Sequence, residues 1–269
     1  MVVARPVDPA LLDLLPDLRL VANYGAGYEL VDVEACRARG ITVTNTPGAV
    51  DAPTADLAFA LLLAVRRRIV EGDRFVRAGR WESGWAEEEL VGEDISSATI
   101  GIVGLGGVGR AVARRARAFD MRVLYAKRTP LAPEDERTLG VEHRPLDDLL
   151  AEADAVTLHV PHTRETERLI DGRRLSLMRD GVCLVNTARG AVVDEDALVR
   201  ELVSGRLRAG LDVFAHEPRV PEELFGLPNV VLVPHLGTAL PRAREAMTRV
   251  LVDNLLAFER GERPPDVVS

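Results

Sequence analysis

Lysine is nearly absent from this chain, and acidic residues outnumber basic ones. The 269 residues include 34 Lys and Arg against 42 Asp and Glu, which gives a net charge of -8, and Lys127 is the only lysine. A general binder of nucleic acid or of anionic membranes needs a clustered basic face. The charge balance therefore argues against both classes, and we expect no nucleic-acid partner and no membrane partner.

Cysteine and long apolar runs are scarce as well. The two cysteines, Cys36 and Cys183, form no CxxC pair and no cluster with histidine at metal-ligand spacing. We therefore expect structural thiols, with Cys183 buried, and no metal site. The longest apolar run, 57–65, is about half of the roughly 20 residues that a membrane-spanning helix needs. Arg5 and Asp8 stand where a secretory signal would be apolar, so the sequence predicts a cytoplasmic protein.

Short apolar runs alternate with helical stretches from residue 97 onward. Apolar residues make up 47% of the sequence, enough for a substantial core. Because each run is apolar nearly throughout, it is typical of a strand covered on both faces, as in a parallel sheet flanked by helices. The strand candidates are 99–103, 122–126, 155–160, 182–186, 209–213 and 230–233. The pattern predicts an α/β fold with a doubly wound parallel sheet, whose helices include 108–119 and 195–203.

The first hundred residues repeat this pattern less regularly. Strand candidates at 18–22 and 41–44 lie on either side of a helix candidate at 31–39. This arrangement indicates a second, smaller α/β unit.

Three glycines follow the first strand of the regular region. Gly104, Gly106 and Gly109 form G-x-G-x-x-G directly after strand candidate 99–103 and directly before a helix. In this context the first glycine permits a tight turn, the second lets the backbone approach a pyrophosphate, and the third lets helix and strand pack closely. The helix N-terminus adds unpaired N–H groups and a positive dipole end. The motif predicts a dinucleotide site, with an ordinary glycine-rich turn as the alternative.

The residues after the second strand bear on which dinucleotide binds. An NAD-specific site usually has Asp or Glu there for the ribose 2'-hydroxyl, whereas this chain has Lys127, Arg128 and Thr129. Lysine and arginine can pair with a 2'-phosphate, which an acidic residue would repel. The sequence therefore favours NADP(H), with NAD(H) as the alternative and solvated surface cations as the structural explanation.

Arg189, Glu217 and His235 each follow a different strand candidate, and parallel strands bring such residues to one rim. Reduction of a 2-oxo acid needs a cation for the carboxylate, a proton donor for the carbonyl oxygen and a group that keeps the donor protonated. An arginine can bind the carboxylate in a bidentate manner, a histidine donates a proton near neutral pH, and a glutamate favours the imidazolium. Singly, each residue has an ordinary structural explanation, but together they predict a catalytic set.

The domain prediction follows from these features. The acidic stretch 87–97 is expected to connect the two units, and a long amphipathic helix at 240–260 is expected to return to the first. We predict a substrate domain at 1–95, completed by 238–269, and a dinucleotide-binding domain at 96–237.

Six segments spread over essentially the whole chain share their order with one enzyme family. They are NYGAGY (23–28), TNTP (44–47), GIVGLG (101–106) with Gly109, NTARG (186–190), LDVF (211–214) with EP at 217–218, and PHLG (234–237). In these segments the chain resembles the D-isomer-specific 2-hydroxyacid dehydrogenases, and within them most closely the glyoxylate/hydroxypyruvate reductases.

The resemblance implies a Rossmann-type sheet plus a smaller flavodoxin-like substrate domain, in a homodimer. It also implies an NAD(P)H-dependent reductase that converts glyoxylate or hydroxypyruvate to a D-2-hydroxy acid. Two alternatives remain: an NADH-linked dehydrogenase of another 2-hydroxy acid, and a dinucleotide-sensing binding protein that has lost activity. Fold alone does not separate them.

The resemblance also places the substrate carboxylate at backbone N–H groups around Ala26 and Gly27, and Asp212 near the nicotinamide. The predicted catalytic residues are Arg189, Glu217 and His235, and the predicted substrate-binding residues are Tyr24, Gly25, Ala26, Gly27 and Arg189. The predicted cofactor-binding residues are Thr54, Gly104, Leu105, Gly106, Gly107, Val108, Gly109, Lys127, Arg128, Thr129, His159, Val160, Pro161, Thr187, Ala188, Asp212, His235 and Gly237.

Family members carry a further strand-helix-strand-helix portion before the point where Met1 stands. We therefore expect the substrate domain to be truncated at its N-terminus or the chain to start at an internal methionine. Without that portion, a strand candidate at 2–4 would present an unpaired edge to water. A stable, fully active dimer of the 269-residue chain would contradict this expectation.

Overall fold

The computed structural model describes residues 5–82 and 88–268. The chain folds into two compact units, one formed by Met1–Pro53 with Thr238–Ser269 and the other by Thr54–Gly237. The strand candidate at 2–4 and Glu87, the first residue of the expected connection, lie outside the described residues. Within the described ranges, no helix combines the length and apolar character that crossing a bilayer requires.

The smaller unit contains a two-stranded parallel sheet. Its elements are α1 (Pro9–Asp13), β1 (Leu20–Ala22), α2 (Val33–Ala38), β2 (Thr42–Thr44) and the C-terminal helix α10 (Pro241–Glu259). Beyond α10, the chain forms an antiparallel bridge from Val267 to Thr44. Cys36 is buried with Val21 and Val43 in the core of this unit. The sequence predicted burial for Cys183 alone, because the neighbours of Cys36 along the chain are polar and do not show which face of α2 packs inward.

The larger unit is built on one sheet of seven parallel strands. They are β3 (Thr99–Val103), β4 (Arg122–Ala126), β5 (Glu142–His143), β6 (Ala155–Leu158), β7 (Cys183–Asn186), β8 (Arg208–Leu211) and β9 (Val230–Leu232). They lie in the order β5-β4-β3-β6-β7-β8-β9. All six predicted strands are present, each within two residues of its predicted ends. The edge strand β5 is absent from the prediction because its two residues form no apolar run.

Helices cover both faces of this sheet. They are α3 (Asp51–Arg66), α4 (Ile69–Arg77), α5 (Gly107–Ala118), α6 (Pro133–Leu139), α7 (Leu146–Glu152), α8 (Gly172–Leu177) and α9 (Glu195–Val203), with short 3-10 helices at Glu88–Leu90, Gly190–Val192 and Glu222–Leu224. Successive strand residues alternate between two apolar cores: Val123 and Val185 face one, and Leu124 and Leu184 face the other. Because side chains alternate along a strand, both faces of the sheet are buried, which confirms the predicted doubly wound α/β architecture.

The division into units differs from the predicted boundary between residues 95 and 96. From Thr54 onward the chain belongs to the larger unit, because α3 supplies part of its core. Ala58 and Leu62 pack with Ile100, and a Cβ on Gly210 would lie only 2.8 Å from Leu61 Cβ. The apolar character of this helix therefore serves the seven-stranded sheet.

Arg66, at the end of α3, is a buried cation, with 6% of its surface exposed. Its Nη1 lies 3.0 Å from Glu93 Oε2 and donates to the carbonyl of Asp154, just before β6. Its Nε and Nη2 both donate to the carbonyl of Asp94. One guanidinium therefore joins α3, the segment before β3 and the start of β6.

We expect Arg66→Met to lower the free energy of unfolding by about 3 kcal/mol, because two carbonyls and a partly buried carboxylate lose their donor. Urea titration of the unchanged chain and the variant measures this. The matched control is Arg77→Met, which removes an exposed pair with Asp73 and should leave stability close to that of the unchanged chain. Similar losses in both variants would contradict the role of Arg66.

Candidate active site

All seven strands direct their carboxyl ends to the same edge of the sheet, because every pairing is parallel. The strand order reverses between β3 and β6, and open α/β sheets bind ligands in the crevice at such a reversal. The predicted residues of the larger unit follow these ends: Gly104 after β3, Lys127 after β4, His159 after β6, Thr187 after β7, Asp212 after β8 and His235 after β9.

The glycine turn after β3 has the geometry of a close backbone approach. Gly104 has a φ of +94°, and a Cβ there would lie 2.5 Å from the carbonyl oxygen of His159. A Cβ on Gly109 would lie 2.1 Å from the carbonyl oxygen of Gly104. At Gly106, by contrast, no heavy atom of the described residues lies within 4 Å of the added Cβ. The first and third glycines therefore meet packing constraints, and the second leaves open space next to the backbone.

Helix α5 begins at Gly107, so the first-turn N–H groups, including those of Val108 and Gly109, have no partner within the helix. Leu105, between the glycines, is buried in the core. Its side chain serves packing, which leaves only its backbone for a ligand. The turn thus offers backbone donors beside an open space, as an anionic diphosphate requires.

Lys127, Arg128 and Thr129 lie directly after β4 and are exposed. Strand β4 pairs with β3, and the N–H of Gly104 donates to the carbonyl of Ala126 at 2.9 Å. These three residues, the cationic segment, are therefore attached to the start of the glycine turn.

His159, after β6, lies against the glycine turn on the side opposite the cationic segment. Its N–H donates to the carbonyl of Val103 at 2.7 Å, and its Nε2 is 2.9 Å from the hydroxyl oxygen of Thr157. Burial lowers the pKa of His159 to about 3, so the ring is neutral at physiological pH. Val160 lies beside Gly104, since its Cγ1 would be 2.8 Å from a Cβ there. Pro161, which follows, is exposed.

The loop after β7 is held by a buried side chain. Asn186 accepts the N–H of Ala188 at 3.0 Å and donates to the carbonyl of Arg189 at 2.9 Å. Arg189 is half-buried, with an extended backbone, and its Nη1 donates to the carbonyl of Ala188. The buried Thr187 hydroxyl has no hydrogen-bond partner among the described residues. Because an unpaired buried hydroxyl costs free energy, this atom is suited to bind a ligand.

Gly190 fixes this loop against the loop after β8. A Cβ on Gly190 would lie 1.9 Å from the carbonyl carbon of Phe214 and 2.3 Å from the nitrogen of Ala215. The Ala215 N–H in turn donates to Glu195 at 2.8 Å. The backbone that carries Arg189 therefore lies in direct contact with the backbone that leads to Glu217.

Glu217 and His235 form the central hydrogen-bonded pair of the site. The distance from His235 Nδ1 to Glu217 Oε2 is 2.7 Å, with side chains 48% and 35% exposed. The other carboxylate oxygen of Glu217 accepts the N–H of Phe214 at 3.1 Å. This second bond orients the carboxylate, and Nε2 is the ring nitrogen of His235 left to face a substrate.

Asp212 anchors the turn that carries His235. Its side chain is 1% exposed, and it accepts the N–H of Leu236 at 2.5 Å and that of Gly237 at 3.0 Å. Burial raises the pKa of Asp212, and these two hydrogen bonds oppose that rise. The hydroxyl of Thr54 donates to the carbonyl of Gly237 at 3.4 Å, which places this predicted cofactor residue beside the same turn.

The predicted substrate loop of the smaller unit is held through its carbonyl groups. Asn23 Nδ2 donates to the carbonyls of Gly25 and Gly27, and Asn45 Nδ2 donates to that of Ala26. In a trans peptide the next N–H points away from the carbonyl. The N–H groups of Ala26 and Gly27 therefore point away from the two asparagines. The Tyr24 hydroxyl donates to the carbonyl of Arg244 at 2.9 Å.

Asn23, Asn45 and Asn186 are absent from the predicted site, although each stands inside a segment that carries the family resemblance. Their position directly before or within a glycine-containing turn is the signal that was available. No group of three or more His, Cys, Asp or Glu residues in the described ranges is placed to hold a metal ion.

Comparison with known proteins gives one family match. Residues 59–237 match the model of the D-isomer specific 2-hydroxyacid dehydrogenase, NAD binding domain. The chain is similar to a glyoxylate reductase from Pyrococcus horikoshii, with 51% identity over 98% of this chain and 80% of the relative.

Solved structures agree in fold. An NADPH-dependent glyoxylate/hydroxypyruvate reductase from Sinorhizobium meliloti, in complex with NADP and malonate, superposes with a TM-score of 0.90 at 38% identity, over 98% of this chain and 82% of that one. A D-lactate dehydrogenase from Aquifex aeolicus, in complex with NAD and lactic acid, has a TM-score of 0.90 at 31% identity, over 97% and 83% of the two chains.

The pKa of His159, about 3, predicts acid sensitivity. In the unfolded chain the imidazole of His159 is protonated below about pH 6.5, whereas in the folded chain it stays neutral at that pH. Stability from this group is therefore full above about pH 6.5 and is lost as the pH falls toward 3, by up to about 1.4 kcal/mol per pH unit. Urea unfolding at about pH 7 and about pH 5 should show a smaller pH dependence in His159→Asn. His143→Asn is the control and should keep the pH dependence of the unchanged chain. If His159→Asn also keeps it, His159 is not the source of the acid sensitivity.

Proposed function

The chain belongs to the D-isomer-specific 2-hydroxyacid dehydrogenases, and from this premise we propose that it reduces glyoxylate or hydroxypyruvate to a D-2-hydroxy acid. It is an oxidoreductase of CH–OH donors that binds a nicotinamide dinucleotide. The observation that carries the proposal is the pair of His235 and Glu217, 2.7 Å apart on the rim of the sheet.

The glycine turn and the loop after β7 fit a dinucleotide. The open space at Gly106 and the first-turn N–H groups of α5 suit the pyrophosphate, and the unpaired Thr187 hydroxyl suits a polar group of the cofactor. When bound, the nicotinamide supplies the hydride for the 2-oxo carbon.

The chain's own residues supply the proton and the charge. His235 donates a proton from Nε2 to the carbonyl oxygen, because Nδ1 is held by Glu217. The Glu217 carboxylate fixes the orientation of the ring through its contact with Nδ1. Arg189 binds the carboxylate of the substrate through its guanidinium. The turn anchored by Asp212 keeps the imidazole in place while the proton moves.

We also propose a preference for NADPH, supported by the exposed Lys127, Arg128 and Thr129 beside the glycine turn. A substrate role for the smaller unit, with its loop at Tyr24 to Gly27, a homodimer and a cytoplasmic location remain predictions. The likeness to a D-lactate dehydrogenase in complex with NAD favours an NADH-linked enzyme of another 2-hydroxy acid as the second candidate.

The test follows NADPH and NADH absorbance with glyoxylate, hydroxypyruvate and pyruvate. Fastest turnover with glyoxylate or hydroxypyruvate supports the proposal. Turnover confined to NADH and pyruvate would replace it with the second candidate.

In the same assay, His235→Ala should lower turnover by about 100-fold or more, because the proton donor is lost. His216→Ala is the matched control, since His216 is exposed next to Glu217 and has no role in the proposed chemistry. Near-normal turnover in His235→Ala would refute the mechanism.

Replacing Lys127 and Arg128 together by Gln should weaken NADPH binding by about ten-fold for each charged hydrogen bond lost. NADH binding should stay level, because NADH has no 2'-phosphate. Fluorescence titration of both cofactors measures this, and the double replacement of Arg137 and Arg200 by Gln, two exposed arginines of α6 and α9, matches the loss of two positive charges. Equal losses for the two cofactors would exclude a phosphate pocket.

A further inference from the structure

The cationic segment lies in a short loop that is anchored at both ends. At its start, the carbonyl of Ala126 accepts the N–H of Gly104 at 2.9 Å. At its end, the N–H of Leu131 donates to the hydroxyl oxygen of Tyr125 at 2.7 Å. Lys127 to Pro130 span the distance between these anchors, and Pro130 restricts the backbone of Thr129 to extended conformations.

Tyr125 reaches this loop from inside the sheet. Its side chain is fully buried, and its ring makes an edge contact with the ring of His143 at 5.3 Å between centroids. Besides accepting the Leu131 N–H, its hydroxyl donates to Glu136 Oε1 in α6 at 2.6 Å. One hydroxyl therefore joins β4, the loop that contains the cationic segment, and helix α6.

The hydroxyl keeps its proton under working conditions. Burial and the hydrogen bond to Glu136 raise the pKa of Tyr125. Both hydrogen bonds at the Tyr125 hydroxyl are therefore maintained at neutral pH. The phenol stays neutral and adds no negative charge to that of Glu136 near a bound phosphate.

We propose that Tyr125 is a positioning residue for cofactor choice, whose hydroxyl holds the loop so that Lys127, Arg128 and Thr129 meet a 2'-phosphate together. A loop ordered in advance loses less conformational entropy when the phosphate binds. The inference deepens the proposed function and rests on its preference for NADPH.

The variant that isolates the hydroxyl is Tyr125→Phe, which retains the buried ring. Calorimetric titration with 2',5'-ADP and 5'-AMP compares ligands that differ by the 2'-phosphate alone. We expect the variant to bind 2',5'-ADP about five-fold more weakly, the equivalent of one typical hydrogen bond, and to bind 5'-AMP as the unchanged chain does. A hydroxyl that served only stability would leave the ratio of the two affinities unchanged, and that result overturns the inference.

Glu136→Gln is the matched control, because the amide oxygen can still accept from the hydroxyl of Tyr125. Its preference for 2',5'-ADP should be at least as large as that of the unchanged chain. A loss equal to that of Tyr125→Phe would show that the charge of Glu136, and not the hydroxyl, carries the effect, and would also overturn the inference.

The same titrations separate this inference from the proposal beneath it. If the unchanged chain shows no preference for 2',5'-ADP over 5'-AMP, the NADPH preference fails, and the positioning role fails with it. A different set of results would remove the role of Tyr125 alone. In that case the unchanged chain prefers 2',5'-ADP, the double replacement of Lys127 and Arg128 removes the preference, and Tyr125→Phe retains it. The phosphate pocket would then stand without a positioning role for Tyr125.

Discussion

The site depends on one buried carboxylate. Asp212 stands at the end of β8, accepts the N–H groups of Leu236 and Gly237, and offers its own carbonyl to the N–H of His235. Burial of a carboxylate costs free energy that these hydrogen bonds offset only in part, as the raised pKa of Asp212 reflects. The ends of β8 and β9 are thereby tied together, and His235 is held at a φ of 51°.

The other catalytic candidates are placed relative to that turn by backbone contacts. Glu217 is oriented by the N–H of Phe214, and Phe214 is the residue on which Gly190 packs. A displacement of the loop after β7 is therefore transmitted through Gly190 to the loop that holds the carboxylate. Parallel pairing of β7, β8 and β9 sets the spacing between the loops that follow them. The sheet therefore determines where the loops that carry Arg189, Glu217 and His235 begin.

The sequence was sufficient for the larger unit because its central strands are buried on both faces and therefore read as continuous apolar runs. The boundary near residue 53 was not visible, since α3 is apolar in either unit and only tertiary packing assigns it to the seven-stranded sheet. At the site, Arg189, Glu217 and His235 could be selected because each is a chemically competent residue just past a strand. Tyr125 could not, because its proposed role lies in a hydrogen bond from the backbone N–H of Leu131, which no local pattern encodes.

The scarcity of lysine has a practical consequence at the end of β4. Lys127 is exposed there and carries the only side-chain primary amine in the sequence. Amine-directed reagents, such as succinimidyl esters or aldehyde-activated supports, would attach dyes or surfaces at this single side chain and, where it is free, at the terminal amine. Immobilisation by that route would block the edge of the sheet where the adenosine end of a dinucleotide is proposed to bind, so amine coupling is a poor choice for measuring cofactor binding by this chain.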